Sequence, residues 1–85
     1  MISLEDITAL VRTEIATHVF RQFSDTEDFT RDLSIASDDL SYVALSLENQ
    51  LGVKLDRREY LKVNNVVELA RALHFALAAN GAVSR

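Results

Sequence analysis

The chain predicts an all-α fold, a small four-helix bundle of three longer helices and one short helix. Three observations carry this expectation. The 85 residues contain no proline and two glycines, so little forces a helix to break. Apolar residues recur at steps of three and four over three separate stretches, the spacing that lines one face of a helix. Residues suited to capping stand at the ends of those stretches: Ser3 with Asp6 three residues on, Gly52, and Asn65 with Glu68 three residues on.

The first helix is expected to begin at Ser3, whose hydroxyl can cap the first turn while Asp6 reaches back in a capping box. Leu4, Ile7, Val11, Ile15 and Val19 form its inward stripe. From Arg21 to Ala36 the periodicity fails. The run SDTEDFTRD is rich in side chains that compete with a helix for backbone hydrogen bonds, and Phe29 and Leu33 read as the anchors of a long loop. A loop of that length in so small a domain points to function, and it ends at Ser37.

The second helix is expected over Ser37 to Leu51, with Leu40, Val43, Ala44, Leu47 and Leu51 inward and Gly52 as a left-handed stop. A hydroxyl at Ser37 suits an N-cap, a role worth about 1 kcal/mol. A short helix around Arg57 to Leu61 is expected to bury Tyr60 and Leu61. The last helix starts at Asn65, buries Val66, Leu69, Ala70, Leu73 and Leu77, and ends at Asn80-Gly81.

This length makes one domain, residues 1–85, with a single modest core. The absence of cysteine removes disulfides, thiolate metal sites and a cysteine nucleophile, and suits a reducing compartment. With no membrane-length apolar run and an acidic MISLED start, the expected location is the cytoplasm, without membrane association. Residues 1–52 hold ten acids against three arginines, a balance of −7, whereas residues 53–85 hold three acids against six bases, a balance of +3. The acidic pole lies before and around Ser37, which disfavours nucleic acid and favours a basic partner surface.

Catalysis is hard to build from these residues. His18 and His74 fall on different helices, outside any metal-ligand spacing. Asp38 and Asp39 are explained as first-turn acids beside the positive end of a helix dipole, with no metal required. The expectation is a protein that performs no chemistry of its own.

The stretch from Asp32 to Leu55, DLSIASDDLSYVALSLENQLGVKL, resembles the attachment region of acyl and peptidyl carrier proteins. Their Leu-Gly-x-Asp-Ser-Leu pattern falls without a gap on Leu33, Ser34, Ile35, Ala36, Ser37 and Asp38, and their Leu-Glu-x-x-Phe-Gly-Ile exit on Leu47, Glu48, Leu51, Gly52 and Val53. Phe29 to Leu33 resembles the family's Phe-x-x-Asp-Leu segment, and the similarity extends over residues 29–77. Ala36 stands where the pattern has Asp, and Asp38 where it has an apolar residue. Sliding the pattern by two residues would put Asp39 on the serine. That register needs a deletion inside the helix that rotates its later apolar positions by about 200 degrees.

The resemblance implies the carrier fold and a free-standing, monomeric carrier. A phosphopantetheinyl transferase would attach 4′-phosphopantetheine to Ser37, and the arm would carry acyl, aminoacyl or peptidyl groups as thioesters between pathway enzymes. Those enzymes would be a ligase, synthase or transferase of a fatty-acid, polyketide or other specialised biosynthetic pathway. Its partner surface would be the second helix, through Asp38, Asp39, Ser41, Tyr42, Glu48 and Asn49. Because Ala36 and Asp38 depart from the pattern, the alternative is an unmodified, carrier-like docking module.

Overall fold

A computed structural model describes residues 2–83, with side chains described to residue 79. The described residues form four helices and no strand: α1 (Leu4–Ala16), α2 (Ser37–Leu51), α3 (Arg57–Tyr60) and α4 (Val66–Val83). The first begins as its sequence predicts. The Ser3 hydroxyl accepts the Asp6 amide at 3.1 Å, and the Asp6 carboxylate accepts the Ser3 amide at 3.5 Å. It ends at Ala16, one turn short of the expected stripe. The Thr17 hydroxyl donates to the Glu14 carbonyl at 2.8 Å, and Val19 packs on the core from the segment that follows. Ile7, Val11 and Ile15 are fully buried, whereas Leu4, at the helix start, lies at the surface.

α1 is the central element, packed most extensively against α4 and also against α2. Val43 and Leu47 come to this core from α2, and Val66, Leu69, Ala70 and Leu73 from α4, with Leu40, Leu51 and Leu77 at its margin. Gly52 ends α2 at φ 68°, where a side chain is disfavoured, and its amide donates to the Glu48 carbonyl at 2.8 Å. At the start of α4 the Asn65 side chain accepts the Glu68 amide at 2.8 Å, and the Glu68 carboxylate accepts the Asn64 amide at 2.7 Å.

Two further expectations are corrected. α4 continues through Asn80 and Gly81 to Val83, its last turns dominated by alanine, which carries the helix across one glycine. α3 closes after one turn, and Leu61, expected inside, is 78% exposed; Leu55 and Val63, on either side, pack against the core instead.

The segment from Thr17 to Ala36 has no regular structure but is fastened at several points. Phe23 and Ile35 join Phe29 and Leu33 in the core. Arg12 of α1 donates to Asp25 Oδ1 and to the Phe23 carbonyl, both at 2.7 Å, while its guanidinium lies 4.3 Å from the Phe23 ring centroid. Backbone bonds from Phe29 to Asn64, at 2.7 Å, and from Val67 to Asp25, at 3.3 Å, tie the loop to the start of α4. This fastening fixes where the chain enters α2.

Candidate functional site: the start of α2 and the adjoining cleft

The approach to α2 is built by alternating anchors and surface residues. Leu33 and Ile35 are buried, and the Ile35 amide donates to the Phe29 carbonyl at 2.9 Å. Between them Ser34 adopts φ 56°, the left-handed region that costs an L-residue roughly 1–2 kcal/mol. Ala36 is then the N-cap, in extended geometry and without a side-chain hydrogen bond. Ser37 is the first residue of the helix and not its cap, which corrects the capping expectation. Its side chain is exposed and makes no hydrogen bond among the described residues. The first-turn amides of a 15-residue helix are thus left without a side-chain cap, beside a free hydroxyl.

Ser37 lies at the N-terminal end of one wall of a cleft of about 590 Å³. α2 supplies that wall through Leu40, Ser41, Ala44, Leu45 and Glu48. Leu55, Arg57, Tyr60, Leu61 and Val63 form the opposite wall, and the buried Phe29 and Leu69 lie at the base. One polar tie joins the two walls. Glu48 Oε2 accepts both the Tyr60 hydroxyl and the Leu55 amide, the latter at 3.0 Å. Burial, and then the adjacent Glu48 carboxylate, push the Tyr60 phenol well above its ordinary value of 10.0.

Of the six residues expected as a partner surface, Asp38, Asp39, Ser41, Tyr42 and Asn49 are exposed on α2. Glu48 is half-buried and engaged in the tie between the walls, so it is not a free surface acid. Asp39 lies beside His18, with Nδ1 and Oδ2 3.9 Å apart, close enough for an ion pair when the imidazole is protonated. The sequence offered His18 no partner; the fold supplies one. Leu45 and Leu61, 54% and 78% exposed, extend the apolar surface at the cleft; Leu61 was expected inside, and Leu45 was not singled out from the sequence. Leu45 falls outside the core stripe of α2, which left its position on the helix unmarked.

The acidic pole is largely consumed in building the loop. Asp25 pairs with Arg12, and Glu27 with Arg21 at 2.8 Å. Asp28 Oδ1 accepts the Thr30 and Arg31 amides at 3.0 and 2.8 Å, while Asp32 accepts the Asp28 amide at 2.8 Å. These bonds hold the Asp28 carboxyl below its ordinary range, chiefly through the Arg31 amide, and the Glu27 carboxyl likewise, chiefly through Arg21. The acids left at the surface beside Ser37 are Asp38 and Asp39.

Among the described residues no group of His, Cys, Asp or Glu is placed to hold a metal ion, and no helix is long and apolar enough to cross a membrane. No protein-family model matches the chain, and no curated protein matches it in sequence.

Proposed function

We propose that the protein is a carrier whose Ser37 hydroxyl takes a 4′-phosphopantetheine arm. The observation that carries the reading is the state of Ser37: exposed, unbonded among the described residues, and at the uncapped start of α2 beside an apolar cleft. The backbone before it gives further support. Ser34 occupies the glycine position of the carrier pattern and takes the left-handed conformation that a glycine there would serve.

The residues fit the group. Free first-turn amides and the helix dipole favour a phosphodiester at Ser37, while Asp38 and Asp39 add negative charge that works against it. When bound, the arm supplies a terminal thiol on which an acyl, aminoacyl or peptidyl group travels as a thioester. The chain itself presents the hydroxyl, orients it by the fastened loop, and offers apolar walls to the cargo. The exposed residues of α2, Asp38, Asp39, Ser41, Tyr42 and Asn49, are the surface for the modifying transferase and the pathway enzymes. A specialised biosynthetic pathway fits better than bulk lipid synthesis, because Tyr42 and Ser46 reduce the acidity of α2 and Arg57 and Arg58 follow it. Ala36 and Asp38, together with the exposed Tyr42, Leu45 and Leu61, favour as second reading an unmodified docking module.

Thioester formation tests the function itself. The chain, treated with coenzyme A and a broad-specificity transferase, is offered acyl and aminoacyl groups by adenylating ligases. Radiolabel that stays on the protein, is released by hydroxylamine and is lost in Ser37→Ala is expected. Label indifferent to hydroxylamine or to Ser37→Ala would leave the docking module in its place.

A further inference from the structure

Attachment at Ser37 makes no use of a second feature of the cleft. Its lining is mostly apolar, yet Glu48 sits within it. Both donors that hold Glu48 fall on Oε2; Oε1 receives none, and the carboxylate pairs with no cation among the described residues. No buried side-chain oxygen lacks a partner among the described residues, so Oε1 is reachable from solvent. A half-buried carboxylate held in place in the lining of an apolar cleft, with one oxygen unbonded and reached by solvent, is a poor neighbour for plain hydrocarbon and a strong acceptor for a cationic donor.

Arg57, the other charged residue of the lining, opposes such a cation. It is exposed at the start of a four-residue helix, pairs with no acid among the described residues, and can turn its guanidinium into water. Glu48 is fixed by two bonds, so its preference prevails. We infer that the cleft is a binding site for a primary ammonium group on a short apolar chain, with Glu48 Oε1 accepting the ammonium hydrogen bond. Where the carrier reading holds, the cargo favoured by this cleft bears an amino group and is not a plain alkyl chain. That link to cargo rests on the carrier reading; the ammonium site does not.

The test is an NMR titration of the unmodified full chain with n-hexylammonium, hexanol and hexanoate, read at the Leu55 and Tyr60 amides. Hexylammonium is expected to bind on the order of tenfold more tightly than hexanol, the ratio a hydrogen bond to a charged group supplies, with hexanoate weakest. Glu48→Gln keeps the size of the side chain and an acceptor for Tyr60, and should erase the advantage of the amine. Arg57→Gln, a surface change, should strengthen amine binding. Equal affinities, a preference for hexanoate, shifts outside the cleft, or an Arg57→Gln variant that binds the amine no better would each overturn the inference. The result is independent of modification: a chain never modified at Ser37 can still bind hexylammonium, and a modified chain can fail to.

Discussion

Ser34 and Ser37 are three residues apart and face opposite conformational demands. Ser34 holds a left-handed backbone at φ 56° so that Leu33 and Ile35 can both turn inward, which sets the direction in which the chain reaches Ser37. Glycine would take that conformation without the steric cost of a Cβ, although it loses more freedom on folding. Ser34→Gly should therefore raise stability by about 0.5–1 kcal/mol, seen as a higher urea midpoint; a lower midpoint would mean that the serine side chain contributes something its exposure does not indicate. Three carboxylates, two in the loop and Asp56 at the N-cap of α3, make a second prediction at this scale. The folded-state values of Glu27, Asp28 and Asp56 lie below the ordinary 4.5 and 3.8, because each accepts hydrogen bonds as a carboxylate. Their contribution is present above the ordinary carboxylate range and lost as pH falls through the lowered folded values. Thermal melts of Glu27→Gln and Asp28→Asn should differ from wild type near neutral pH and converge with it in acid.

α2 is the element on which both core and site depend, and its two faces answer to different substitutions. Leu47 is fully buried at the centre of its inner face, and Leu47→Ala should cost about 2–5 kcal/mol in urea unfolding, the range for a large-to-small change in a packed core. That cost is a large fraction of the whole stability of a domain of this size. The bounds of α2 were legible because a five-residue apolar stripe runs into a glycine, and periodicity and stop signal agree. Periodicity also placed Ile7, Val11 and Ile15 inside, and the capping residues placed the starts of α1 and α4. Isolated anchors carry no period, so Phe23 and Ile35 did not stand out, and Leu61 looked buried because a single turn gives too little pattern to phase. The Glu48–Tyr60 tie joins residues twelve apart on separate helices, a contact that only the packing of α3 against α2 creates. For the same reason Glu48 read as a surface acid when it is a structural one.

At the scale of the molecule, the division of charge into an acidic first part and a basic last part does not map simply onto two surfaces. Arg12 and Arg21 neutralise Asp25 and Glu27, and turns absorb Asp28 and Asp32, so the negative charge offered near Ser37 comes from Asp38 and Asp39. Asp38→Lys and Asp39→Lys should each slow modification by a transferase with a basic docking surface, and added salt should weaken the wild-type reaction as screening shortens to about 10 Å near 0.1 M. Rates indifferent to both reversals and to salt would move recognition to another face. The claim on which the functional reading depends is that Ser37 is a site of attachment. Intact mass after incubation of the folded chain with coenzyme A and a broad-specificity phosphopantetheinyl transferase, followed by fragmentation to locate the added group, tests it most directly. One phosphopantetheinyl group on Ser37, absent from a Ser37→Ala variant whose melt is unchanged, is the result predicted; an unmodified wild-type chain, or a group found on Ser34 or Ser41, would contradict it.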